Sequence, residues 1–311
     1  MWLQPKSSFR RLQSEIELRC KLATWPLKPD FAFALRRRLA NSADKSYAEQ
    51  MNIAALQLDI EWENKPANFE KVRRLLGQSK VPAHSLVVLP EMFATGFSMN
   101  VEVVAEPYEG QTERLLSELA KEFGVYLIGG AAMRSKKGES RNKALIFGAA
   151  GERIGFYAKM RPFSVGGERD HYQAGEKPMT FRCGEWTVAP FICYDLRFPE
   201  LFRCAASMHQ PELFVVIANW PEKRITHWVR LLQARAIENQ AYVVGVNRVG
   251  TDPSYSYNGR SVIVDYNGEI TADAGTVERV IQARLDLEPL RKYRQGLPFL
   301  RDLKKLDCSM V

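Results

Sequence analysis

Long apolar runs are missing from this chain of 311 residues: no stretch approaches the ~20 apolar residues that a membrane-spanning helix requires. Cysteine is sparse. The five present (Cys20, Cys183, Cys193, Cys204 and Cys308) are an odd number with neither C-x-x-C nor zinc-like spacing. That speaks against a disulfide framework and a metal site, and for a reducing, cytoplasmic setting. Histidine numbers only four (His84, His171, His209, His227), and internal repeats and low-complexity tracts are absent, which excludes solenoids and arrays.

An acidic balance is also lacking, since the net charge is +8 and the pI about 9.2. The excess is unevenly placed. Residues 1–50 hold ten Lys/Arg and five Asp/Glu, so +5 lies there and +3 is spread over the other 261 residues. The body is therefore only mildly basic, and no nucleic acid or membrane partner follows from it. Residues 1–50 carry basic clusters and scattered prolines without an amphipathic period. A transit peptide (against which the five acids weigh), a loosely ordered basic arm, and residues upstream of a start at Met51 remain open. The domain division expected is thus 1–50 as an extension and 51–311 as the working domain, large enough to bury a sizeable core with 46% hydrophobic residues.

From Met51 strand-like and helix-like segments alternate, from a strand over 53–58 to a last one over 280–285. Asn68 reads as the N-cap of a helix presenting Phe69, Val72, Leu75 and Leu76, and residues 112–123 as a helix burying Leu115, Leu116, Leu119 and Phe123. Strands are expected at 86–89, 126–132, 187–193, 212–220 and 242–249, a hairpin over 142–158, and a helix over 226–241. The count favours an α/β fold with a mixed sheet, or a pair of sheets, flanked by helices.

Three strand ends carry chemistry. The run 187–193 is apolar, ends in Cys193, and gives way to a polar turn and then to Pro199-Glu200, which reads as the first turn of a helix. A thiol at such a junction has its pKa lowered and is a candidate nucleophile; the alternative is a buried structural cysteine. Leu86–Leu89 leads to Glu91, and 153–158 leads to Lys159. Each charge alone reads as a solvated strand end. Together they put an acid, a cation and a thiol at the carboxyl ends of strands, where open α/β folds place their sites.

With Pro-Glu-Met-Phe at 90–93, Tyr-x-Lys at 157–159, Cys-Tyr-Asp-Leu-Arg-Phe-Pro at 193–199, Ala-Asn-Trp-Pro at 218–221 and the run from Ala234 to Val243, the chain resembles the carbon–nitrogen hydrolase (nitrilase) superfamily from about Met51 to about Asp302. Within it the wording looks most like the ω-amidase branch, which hydrolyses the terminal amide of α-keto acids such as 2-oxoglutaramate. The resemblance implies a four-layer α-β-β-α sandwich, a homodimer paired through the helices around Cys193, where Phe198, Leu201 and Phe202 give an apolar surface, and a cofactor-free catalytic set of Glu91, Lys159 and Cys193. Cys193 is then the nucleophile, Glu91 the proton carrier, and Lys159 with the backbone N–H of Tyr194 the oxyanion donors. Glu168, seven residues before Gly175, matches the superfamily's second glutamate, which orients the lysine. No histidine lies in these stretches and no Gly-x-Cys-x-Gly elbow is present, which disfavours Cys–His catalysis.

For the small-molecule amide substrate, Arg197 is a candidate carboxylate anchor or a structural ion pair, and Trp220 a pocket wall or a core aromatic. Glu238 and Asn239 are expected to hold the fold or the dimer contact. Met160-Arg161-Pro162-Phe163 and Gly259-Arg260-Ser261 depart from the family's usual wording near the pocket rim. The alternatives carried are an N-carbamoyl amino acid or general aliphatic amide hydrolase, and a catalytically silent binding protein.

Overall fold

The structure, a computed structural model, describes residues 49–304 together with Cys308. The expectations about residues 1–48 lie outside this set.

In β1 (Gln50–Gln57) Ile53 and Ala55 face one way, Ala54 and Leu56 the other, and all four are buried. A strand buried on both faces has a layer on either side. The chain continues through α1 (Lys65–Gln78), β2 (Leu86–Val88), α2 (Gln111–Phe123), β3 (Tyr126–Arg134), β4 (Ser140–Phe147) and β5 (Arg153–Ala158). It then forms β6 (Phe181–Cys183), β7 (Trp186–Ile192), α3 (Pro199–His209), β8 (Leu213–Ile217), α4 (Ile225–Asn239) and β9 (Tyr242–Val246). A hairpin of β10 (Val249–Thr251) and β11 (Ser256–Asn258) precedes β12 (Val262–Val264), β13 (Ile270–Asp273), β14 (Arg279–Asp286) and α5 (Leu287–Gly296). The first sheet has the order β14-β1-β2-β3-β4-β5 and the second β13-β12-β9-β8-β7-β6, each mixing parallel and antiparallel pairs.

One apolar cluster holds Ile53, Ala55, Val88, Ile128 and Ile146 of the first sheet together with Val188, Val215 and Val244 of the second, so the sheets meet face to face. The opposite faces carry helices. Ala54, Leu56, Val87 and Leu145 pack with Val72 and Leu76 of α1 and Leu116 and Leu119 of α2. On the second sheet, Trp228 and Leu232 of α4 press on Gly245 so closely that a Cβ there would sit 2.3 Å from Leu232. The result is the expected four-layer α-β-β-α sandwich.

Three expectations are corrected. Asn64, not Asn68, caps α1, accepting from the Ala67 N–H at 3.2 Å. Asn68 is buried one turn in, where it ties the Glu61 and Ala94 carbonyls at 2.8 Å each. The polar turn expected between Cys193 and the helix at Pro199 is present, as a short 3-10 turn (Cys193–Arg197) between β7 and α3. Leu201 and Phe202, expected to offer a subunit surface, are fully buried, because the apolar stripe of α3 is spent on the second sheet. Finally, Cys204 and Cys308 form a disulfide across 104 residues, a pairing invisible in local spacing, while Cys183 and Cys193 are free. The cysteine count therefore no longer speaks for a reducing setting.

The expected domain start at Met51 leaves out two of the described residues, Glu49 and Gln50, both of which are paired. Gln50 pairs with Asp286, the Glu49 carbonyl accepts from the Leu287 N–H at 3.0 Å, and the Glu49 carboxylate meets Arg291 at 2.9 Å. A chain begun at Met51 should melt below one begun at Ala48. One lost hydrogen bond of about 1 kcal/mol is worth about 2–4 °C in a domain of this size. Equal melting temperatures in calorimetry would show that these contacts add nothing.

Candidate active site

Two of the expected strand ends sit on strained backbone. Cys193, directly after β7, has φ 46°, and Met92, directly after Glu91, has φ 43°. Left-handed conformations cost non-glycine residues energy and persist where the surroundings over-determine them. Here the surroundings are explicit. A Cβ on Gly130 of β3 would lie 2.5 Å from the Glu91 Cα, so only glycine lets that backbone approach. The nucleophile turn is held by Asp195. This buried carboxylate accepts from the Ile192 N–H (2.9 Å), the Arg161 N–H (2.9 Å) and the Tyr157 hydroxyl (2.8 Å), linking Cys193 to the strand end that carries Lys159. Burial pushes the Asp195 carboxyl up to about 7 against these donors.

Lys159 is the centre. Its Nζ lies 2.8 Å from Glu91 Oε1 and 2.8 Å from Glu168 Oε2, and the three side chains are 1%, 0% and 0% exposed. Asn142 donates to both carboxylates, at 2.7 Å to Glu91 and 2.8 Å to Glu168. The Phe163 N–H fills Glu168 Oε2 at 2.6 Å, and the Asn219 N–H fills Glu91 Oε2 at 2.8 Å. Burial works against the ammonium, but Glu168 and Glu91 outweigh it, so its pKa is raised above that of an ordinary lysine and the charge stays. The seven-residue interval from Glu168 to Gly175 has a steric reason. The Gly175 N–H donates to the Lys159 carbonyl at 2.7 Å, and a Cβ there would meet the Ala158 oxygen at 2.2 Å.

Cys193 adjoins this cluster, its Sγ 3.9 Å from the Asn219 carbonyl. The expected lowering of its pKa is overturned. Burial and the Glu91 charge push the thiol well above its ordinary value, and Lys159 only partly opposes them. The helix expected to act on the thiol through its dipole starts only at Pro199, behind a 3-10 turn whose own dipole is far smaller. The resting group is thus a thiol beside a carboxylate, an arrangement that can pass a proton as sulfur attacks.

Cys193, Tyr194, Arg197 and Trp220 line one pocket with Phe97, Phe163 and Arg224, so both expected substrate contacts fall beside the thiol. The pocket encloses about 380 Å³, open solvent at its mouth included. Arg197 is not in an ion pair among the described residues. Its guanidinium lies 4.8 Å from the Trp220 ring centroid and 3.4 Å from His227 Nδ1. Glu238 and Asn239 bond to Arg235 and Arg203 away from the pocket. No group of three or more His, Cys, Asp or Glu among the described residues is arranged to hold a metal. Asn142, Asn219, Asp195 and Arg224 were not expected here. Asn219 and Asp195 stand inside the quoted motifs, but their bonding shows only in the fold.

A family model for carbon–nitrogen hydrolases matches residues 52–295. The omega-amidase YafV of Escherichia coli K12 is 36% identical over 255 residues, covering 81% of this chain and 96% of that protein. The 2-oxoglutaramate amidase of Bacillus subtilis is 31% identical, covering 81% and 97%. Among solved structures, XC1258 of Xanthomonas campestris, described as a CN-hydrolase superfamily protein with an arsenic adduct in the active site, superposes with a TM-score of 0.78 at 29% identity, covering 83% of this chain and 98% of that one.

Because the Glu91 charge raises the Cys193 pKa, Glu91→Gln should lower it. The pH profile of iodoacetamide labelling at the Cys193 peptide should then move to lower pH in the variant. Cys183 does not confuse the readout, as burial pushes it up to about 12. An unmoved or upward-shifted profile would remove the electrostatic link between the two groups.

Proposed function

The chain belongs to the carbon–nitrogen hydrolase family, and on that footing we propose that it is an ω-amidase, releasing ammonia from the terminal amide of a short α-keto acid monoamide such as 2-oxoglutaramate. The observation that carries the reading is a single pocket holding both the Cys193 thiol and an Arg197 guanidinium without a carboxylate partner. One end of the substrate reacts while the other is held by its charge.

The chemistry then runs through named atoms. Glu91 takes the thiol proton as Cys193 sulfur attacks the amide carbon. The oxyanion forms against the Lys159 ammonium and the N–H of Tyr194, which lies in the first turn of the 3-10 segment, where backbone N–H groups have no intrahelical acceptor. A single such donor is typically worth about 10²–10³ in rate. Glu91 returns its proton to the departing ammonia, leaving a Cys193 thioester, and then accepts a proton from the water that opens it. Glu168 keeps Lys159 charged and in place throughout. The silent-protein alternative has no use for this full set.

The proposal extends to a cytoplasmic homodimer. Met208 of α3 and Ile237 of α4 are 57% and 52% exposed, large apolar side chains that a second copy would cover.

Arg197→Ala should cut kcat/KM for 2-oxoglutaramate by about 10²-fold, since truncating one partner of a buried charged contact usually costs about 2–5 kcal/mol. The loss on valeramide, a neutral amide of similar length, should be much smaller. Equal losses on both would assign Arg197 to the fold, and a preference of the unaltered enzyme for valeramide would replace the ω-amidase reading with a general aliphatic amidase.

A further inference from the structure

The pocket holds a second cation. Arg224 ends the turn Glu222–Arg224 that leads into α4 and lines the pocket with Cys193 and Arg197. Its guanidinium lies 5.6 Å from the Phe163 ring centroid, braced by an aromatic as Arg197 is by Trp220. Trp220 serves both. Its ring carries Arg197, and its Nε1–H donates to the Arg224 carbonyl at 2.8 Å. The indole is itself fixed: it is 2% exposed, its backbone N–H donates to Asn247 Oδ1 at 2.7 Å, and its carbonyl accepts from Asn247 Nδ2 at 3.0 Å. One fixed side chain therefore carries the Arg197 guanidinium and anchors the backbone of Arg224, whose own guanidinium rests against Phe163.

Neither is in an ion pair among the described residues. Asp252, which shares a surface cleft with Arg224, commits its oxygens to the Ser254 and Tyr255 N–H groups and the Tyr257 hydroxyl. Desolvation, and next the Arg224 charge, hold the Arg197 guanidinium below its ordinary pKa. Like charges held together in a partly desolvated pocket cost energy that only an anion relieves.

We infer that Arg224 is a second specificity-determining contact, clamping with Arg197 the anionic end of the substrate. The inference rests on the ω-amidase reading and narrows its substrate class. A guanidinium presents five N–H donors in a fixed fork, so two of them offer more than one carboxylate absorbs. An oxygen acceptor next to the carboxylate, such as an α-keto group, takes up the surplus. An α-ammonium in the same place meets two like charges, so the pair selects α-keto acid monoamides and rejects the corresponding α-amino acids.

Steady-state kinetics of the unaltered protein, Arg224→Gln and Arg224→Lys with 2-oxoglutaramate, L-glutamine and valeramide test this. Arg224→Gln should lower the kcat/KM ratio of 2-oxoglutaramate to valeramide by about tenfold or more, and should raise glutamine relative to 2-oxoglutaramate. Arg224→Lys, which keeps the charge and loses the fork, should recover part of the first ratio and keep glutamine excluded. If the unaltered protein favours 2-oxoglutaramate and Arg224→Gln leaves both ratios unchanged, the role of Arg224 is overturned while the ω-amidase reading stands. If the unaltered protein favours valeramide, that reading falls and this inference with it.

Discussion

A buried ammonium between two buried carboxylates is the interaction on which the rest of this structure depends. An ion of this size loses several kcal/mol of hydration on burial, and only close partners with their remaining lone pairs filled offset that. Lys159 meets the condition because Glu91 and Glu168 both lie at 2.8 Å and each carboxylate is in turn filled by Asn142 and a backbone N–H. The cluster carries one net negative charge beside a neutral thiol, a composition ready to receive a proton and to meet a developing oxyanion without rearranging.

Much of the local architecture is the geometry that this cluster demands. Its members come from β2, β4, β5, the segment after β5 and the turn after β7, elements of both sheets. The sandwich holds them at fixed separation, and close approaches at Gly130 and Gly175 bring the Glu91 and Lys159 backbones into range. Asp195 performs the corresponding task for the nucleophile, fastening the Cys193 turn to Tyr157 and Arg161. The Glu91, Lys159 and Glu168 charges are buried, whereas Arg197 and Arg224 line the pocket that Cys193 shares. In the proposed reaction that division separates chemistry from recognition.

How much of this is legible in the sequence depends on whether a residue acts through its own type and place or through its partners. Glu91, Lys159 and Cys193 are legible because a charged or nucleophilic residue ending an apolar strand is conspicuous, and the motif wording reinforces it. That strands such as Leu86–Leu89 and 187–193 are covered on both faces is legible from their unbroken apolar runs, but the four layers are implied only by the resemblance. Asn142 is not legible, since an asparagine in a strand announces neither its burial nor its two partners. The raised Cys193 pKa is also hidden: it follows from burial and from Glu91, whereas the chain suggests only the dipole of the helix beyond the turn. Leu201 and Phe202 show the same limit, because an apolar stripe looks alike whether a sheet or a second subunit covers it. The Cys204–Cys308 bond joins residues 104 apart, beyond any local signal.

The central claim is that this buried cluster drives Cys193 to form a covalent acyl intermediate, and mass spectrometry of the protein quenched during turnover of 2-oxoglutaramate tests it most directly. The account predicts an added mass equal to the substrate less ammonia, located on the peptide containing Cys193 and absent from Cys193→Ala. An adduct on Cys183, or turnover persisting in Cys193→Ala, would contradict it.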